Sequence, residues 1–145
     1  MLYFINDTCY FLKRYYPLLN KVYQNLKIVI KNKAEKNISI KFSSLKEQKK
    51  LINKFYQNHN SFNVLTFPYQ DQTCLNNKID YLGDISICVK VIKKDAKIYH
   101  NSFKKELCYI FIHSILHLYE YSHKIENNAK IMSKITNKIL NNFKF

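Results

Sequence analysis

Hydrophobic positions along the chain change period several times, and each change marks an element. The apolar run Met1 to Ile5 predicts a first strand. From Cys9 to Leu26 apolar residues recur at helical spacing, with a break or bend expected at Pro17. Lys27 to Ile30 fits either the end of that helix or the start of a strand, and Lys31 to Asn37 reads as polar loop. Ile38, Ile40 and Phe42 alternate with Ser39 and Lys41, the period of a half-buried strand. Ser43 or Ser44 then caps a helix through Leu45, Leu51, Ile52 and Phe55, with Glu47 placed for a capping box. A polar loop over Gln57 to Asn60 leads into a strand from Phe62 that stops at Pro68. After a second polar loop, Tyr69 to Asp80, the run Tyr81 to Val89 alternates again. Gly83, the one glycine of the chain, marks a place in that strand where a Cβ is not tolerated.

The last third is helical by period. Lys90 to Tyr99 reads as a basic helix, Asn101 or Ser102 caps the next, and a final amphipathic helix starts near Asn127. Its apolar face carries Ala129, Met132, Ile135, Ile139 and Leu140. The order predicts an α+β fold: a small mixed sheet of about four strands with about five helices, organised as a single domain over residues 1–145.

Composition alters this picture in two places. Tyr, Phe, Lys, Asn and Ile are abundant while Gly, Pro, Trp and Arg are scarce, a skew that matches A- and U-rich codons. The net charge of +14 favours a polyanionic partner, although codon drift toward lysine and a plain solvated basic surface account for part of it. Cys9, Cys74, Cys88 and Cys108 form no C-x-x-C pair, and no secretion signal precedes them, so they read as reduced thiols of a cytoplasmic protein. The uncharged run Leu107 to Tyr119 is thirteen residues long, too short to span a membrane, and predicts a buried central helix.

That helix carries the candidate chemistry. His113 and His117 lie one turn apart on one face, and His123 returns from a turn after the helix end. Three imidazoles converging in this way hold a Zn²⁺ with one coordination position open, the mark of a catalytic rather than a structural zinc. Three histidines also suit Ni²⁺ or Cu²⁺. The alternative is a pair of core histidines satisfied by hydrogen bonds, with His123 on the surface. His59 and His100 have no partners in sequence and read as loop or surface residues. The spacing matches the long zincin protease motif, but Ser114 stands where those enzymes need a glutamate base, which disfavours proteolysis.

The stretch His113 to His123 resembles the H-G-x-L-H-L-x-G-Y-D-H signature of the bacterial YbeY proteins. Asn63-Val64-Leu65-Thr66-Phe67-Pro68 is similar to that family's D/N-V-L-S-F-P strand, Leu82-Gly83-Asp84-Ile85 matches its L-G-D-I strand, and Glu106 fits a further family position. The match runs from about Leu51 to the end. The resemblance implies a zinc-dependent endoribonuclease acting on single-stranded or precursor ribosomal RNA at the small ribosomal subunit, in 3′-end maturation and in ribosome quality control. Neither a DNA substrate nor a membrane is expected.

By the same resemblance His113, His117 and His123 are the metal ligands. The chain departs from the pattern at Ser114 and Glu120, which replace glycines, and at Ser122, which replaces an aspartate. Glu120 falls where the helix ends in a left-handed conformation. Tyr56 takes the place of a family arginine implied in phosphate handling, with Lys54 as the nearby cation. Lys54, Tyr56, Lys104 and Lys105 are the candidate RNA contacts, with Lys93 and Lys94 flanking the site helix. A metal-binding, RNA- or ribosome-associated factor with little nuclease activity is the rival expectation.

Overall fold

The computed structural model describes residues 1–32, 35–56, 61–69, 80–121 and 126–145. Strand β1 (Leu2–Asn6) pairs parallel with β2 (Asn37–Ser43), and β2 pairs parallel with β4 (Tyr81–Cys88). Strand β3 (Val64–Pro68) adds antiparallel to the far edge of β4, so the mixed sheet has the order β1-β2-β4-β3. Five α-helices cover it: α1 (Tyr16–Val29), α2 (Leu45–Phe55), α3 (Val89–Ile98), α4 (Phe103–Leu118) and α5 (Glu126–Leu140). The expected α+β class and the element order hold.

Strand alternation sorts the layers. Ile38, Ile40 and Phe42 of β2 and Ile85 and Ile87 of β4 join one core with Leu19, Val22 and Leu26 of α1, most of α4, and Met132, Ile139 and Leu140 of α5. Ser43 and Ser86 point the other way, toward α2, where Gln48 accepts from both hydroxyls at 2.7 and 2.8 Å and returns its amide to the Ser86 carbonyl at 3.1 Å. These polar groups are fully satisfied, which is the condition for burying them. Leu65 faces Ser86 across the β3–β4 ladder and is buried on this second side, as is Ile52 of α2. The capping box predicted for α2 is present, with Ser44 Oγ accepting from Glu47 N–H and Glu47 accepting from Ser44 N–H.

One expectation needs correction. The helix does not begin at Cys9 and bend at Pro17. The Asn6 side chain accepts from Thr8 N–H and donates to the Tyr10 carbonyl, folding the chain into bends there. A single 3-10 turn, Lys13–Tyr15, then leads into α1, with Pro17 in its first turn. Proline there removes an N–H that has no helical partner in any case, so it starts the helix instead of breaking it. Lys27 to Val29 finish α1 rather than opening a strand.

Helix α4 is the axis of the molecule, touching α1, α3, α5, β3 and β4. Between Glu106 and Leu118 only Tyr109, His113 and His117 escape full burial, each one turn after the last. Gly83 fixes how β4 meets β3 and the end of α4. Its φ is +147°, and a Cβ would lie 2.3 Å from the Phe67 carbonyl oxygen and 3.0 Å from Leu118 Cδ2. No side chain fits between those backbones.

Candidate metal centre

Three stacked turns of α4 build the site. Ser102 caps the helix by accepting from Lys105 N–H at 3.1 Å. The apolar run that follows buries every side of the helix except the stripe through Tyr109, His113 and His117. The rings of Tyr109 and His113 lie nearly parallel with centroids 6.2 Å apart, while His113 and His117 meet edge to face at 4.6 Å.

The two histidines turn the same nitrogen to one point, with Nε2 of His113 and Nε2 of His117 3.0 Å apart. Nδ1 of His117 lies 2.9 Å from the Tyr121 carbonyl oxygen. A carbonyl can only accept, so Nδ1 carries the proton and the Nε2 lone pair of a neutral His117 faces His113. A carbonyl behind the distal ring nitrogen is a common arrangement for a metal-ligating histidine. Tetrahedral zinc at ~2.0–2.1 Å from each nitrogen would separate two imidazole donors by about 3.3 Å. The donor type, the shared direction and the spacing therefore fit a divalent ion.

The turn that supplies the Tyr121 carbonyl is a helix stop of defined geometry. Glu120 N–H bonds the His117 carbonyl and Tyr121 N–H bonds the Leu116 carbonyl, each at 3.0 Å, while Glu120 takes φ +66°. This is a Schellman motif with a non-glycine residue in its left-handed position, as the sequence predicts. His123 and Ser122 lie outside the described residues, as do His59 and Cys74.

Other predicted residues are placed as follows. Ser114 is fully buried and donates to the Phe111 carbonyl at 2.9 Å, so its hydroxyl serves the helix backbone. Glu106 is 3% exposed and accepts from Asn101 Nδ2 at 2.9 Å. Tyr56 closes α2, and its hydroxyl donates to the Thr66 carbonyl at 2.5 Å beside the Phe67 ring. Lys54 is exposed, its ammonium over the Phe55 ring. Lys104 donates to the Lys144 carbonyl at 3.0 Å and covers Phe145, which ties it to the C-terminus. Lys105 is exposed, and a rise of 1.5 Å per residue puts it about 12 Å along the axis from His113. Lys93 rests 3.7 Å above the Tyr10 ring, and Lys94 is exposed on the same helix. His100 is exposed at the end of α3 with φ +52°.

Sequence reasoning passed over Tyr109, although its position four residues before His113 carries the signal. It had no means of finding the neighbours that tertiary folding brings beside that residue: Asn63 just before β3, Asp95 of α3, and Tyr99 just after it.

Comparison with known proteins bears on the chain as a whole. A family model described as Endoribonuclease YbeY matches residues 6–144. The endoribonuclease YbeY of Mycoplasmopsis synoviae is 34% identical over 141 residues, 96% of this chain and 88% of that protein. The protein of the same name from Thermodesulfovibrio yellowstonii is 36% identical over 119 residues, 81% of this chain and 74% of its own. The solution structure of TM1509 from Thermotoga maritima superposes with a TM-score of 0.62 at 26% identity, over 97% of this chain and 87% of that one. From end to end of its fold, this chain belongs to the endoribonuclease YbeY family.

Proposed function

We propose that the chain is a zinc-dependent endoribonuclease that cuts single-stranded RNA during maturation of ribosomal RNA, at the 3′ end of the small-subunit species, with a part in ribosome quality control. The observation that carries this reading is the His113–His117 pair, whose Nε2 atoms share one point at 3.0 Å on the one open stripe of a buried helix. His113 and His117 would hold the ion, with His123 as the third ligand. The free thiols Cys9, Cys88 and Cys108 support a reducing, cytoplasmic setting. No helix among the described residues is long and apolar enough to cross a membrane.

When bound, zinc supplies Lewis acidity toward the phosphodiester and toward water. The chain's own residues do the rest. The Tyr121 carbonyl holds the His117 proton on Nδ1 and keeps Nε2 available. Leu116, Ile112 and Ile115 wall the back of the helix and exclude water from that side. Exposed Lys90, Lys94 and Lys97 on α3 draw the RNA backbone, helped by the net charge of +14.

Incubation of the purified protein with single-stranded RNA tests this. Cleavage is expected to stop with a chelator, to return with Zn²⁺, and to be absent in His117→Ala. Cleavage that persists in both the chelated and the His117→Ala protein would sink the reading. A second reading, an RNA- or ribosome-associated metal protein of weak activity, draws on Tyr56, whose hydroxyl is already engaged with Thr66 where the family places a guanidinium. Tight, metal-dependent RNA binding without cleavage would favour it. Ser114, turned to the Phe111 carbonyl, leaves proteolysis without its base.

A further inference from the structure

One turn of α4 before His113, at Tyr109, lies a cavity of about 400 Å³ lined also by Asn63, Asp95, Tyr99, Asn101 and Glu106. Tyr109 belongs to both places, since its ring lies along the wall of the cavity and stacks toward His113. Tyr99 and Tyr109 are 65% and 40% exposed, so both aromatic rings are open to a ligand.

The polar groups of the cavity have a consistent sense. Asn63 Oδ1 accepts from Ser61 Oγ at 2.7 Å and from Val64 N–H at 2.8 Å. That fixes the amide, and its Nδ2 turns toward Asp95 Oδ2, 3.5 Å away. Asn101 likewise spends its Nδ2 on Glu106. Both amide donors are thus directed at the two carboxylates. The acceptors among the lining groups are the Asp95 and Glu106 carboxylates, each facing one of these amides. Neither carboxylate joins an ion pair among the described residues, in a chain of net charge +14. Carboxylates repel a phosphate. They suit a neutral ligand with adjacent N–H donors and a flat face for tyrosine.

We propose that this cavity is a base-reading subsite for guanine in the nucleotide flanking the scissile phosphate, with the base stacked on Tyr109 and Tyr99 and its imino and amino hydrogens donated to Asp95. The inference rests on the endoribonuclease reading of the histidine pair and deepens it. Single-stranded RNA is read by stacking unpaired bases on aromatic rings and hydrogen bonding their Watson–Crick edges. Two parallel N–H groups match two carboxylate oxygens, a match that adenine, cytosine and uracil lack. The strand has a way out as well. A neighbouring groove shares Asn63, Asp95 and Tyr99 with the cavity and continues to Lys49, Lys90 and Lys94. All three lysines are exposed, placing cations where the phosphates of a departing strand would run.

The experiment uses the zinc-loaded full chain and short oligoribonucleotides that carry guanine, inosine, adenine, cytosine or uracil at each position around the cut. Binding is measured in parallel with 2′-deoxy versions. Guanine is expected to be preferred over inosine and the other bases at one flanking position by on the order of tenfold, in cleavage and in binding. Asp95→Asn is expected to flatten that preference, and Tyr99→Leu to weaken binding of every base. Cleavage indifferent to the flanking base, or a guanine preference that Asp95→Asn leaves intact, overturns the subsite while the nuclease reading stands. Guanine-selective binding that Asp95→Asn flattens, without cleavage of any oligonucleotide, supports the subsite and overturns the nuclease reading.

Discussion

Position decides what a reactive side chain can do here, as the cysteines show. Cys9 is exposed, whereas Cys88 and Cys108 are buried in the core around β4 and α4. Burial pushes the Cys108 thiol from its ordinary 9.0 up to about 12, against a small opposing pull from the Lys104 cation. The thiolate is the nucleophile, so an aromatic disulfide reagent at mild pH should modify Cys9 and spare Cys88 and Cys108 until the protein is unfolded. Labelling of Cys108 in the native protein at a rate close to that of Cys9 would contradict its burial. The same shift has a stability consequence. Between about pH 9 and 12 the unfolded chain gives up a proton that the folded chain keeps, so stability falls as pH rises through that window. Urea midpoints measured upward from about pH 9 should decline less steeply in Cys108→Ala than in the parent. The composition names four cysteines without ranking them, because burial is a property of the assembled core.

Among the elements, the C-terminal turn of α4 carries the most consequence. Glu120 holds φ +66°, a conformation glycine adopts freely and a residue with a Cβ does not. Glu120→Gly should therefore raise stability by about 1 kcal/mol in urea unfolding, with the Tyr121 carbonyl kept on His117. Glu120→Val should do the reverse. It disfavours the left-handed turn and loosens that carbonyl, so that, if the histidine pair holds zinc, its affinity should drop by roughly 10–100-fold in a competition titration. This turn was legible in advance, because the family resemblance puts a helix-ending glycine at the position of Glu120. So was the α2 cap, since Ser44 and Glu47 reach each other's backbone within one turn of chain. The start of α1 was not legible. Apolar spacing from Cys9 onward is helical, and the side-chain bonds of Asn6 and Thr8 divert the chain into bends instead.

The whole molecule holds α4 between the sheet and three helices, so changes far from the histidines should still reach them. Gly83 is the clearest case, because a methyl group there meets the Phe67 carbonyl of β3 and Leu118 at the end of α4. Gly83→Ala should cost about 2 kcal/mol or more in denaturant unfolding. A loss below about 0.5 kcal/mol would mean that β3 and β4 part more easily than this packing allows. Ligand binding should act on the same scale. If the histidine pair holds zinc only in the folded state, an ion concentration of 100 times Kd stabilises the fold by about 2.7 kcal/mol. That gain should appear as a chelator-reversible rise in melting temperature, vanish in His113→Ala, and persist in His100→Ala.

The sequence by itself determined the element order, the buried character of α4, the pairing of His113 with His117 and the resemblance to an RNA-cutting family. All of these rest on periods and spacings within a few turns of chain, where the backbone fixes who neighbours whom. Tertiary structure alone decided which nitrogens face each other, that Tyr121 orients His117, and that Ser114 turns away from the site. It also decided that Asn63, Asp95 and Tyr99 gather beside Tyr109. Those residues come from separate elements, and no local pattern encodes their meeting. The packing of β3 and α3 against α4 brings them together, and that packing depends on the core as a whole.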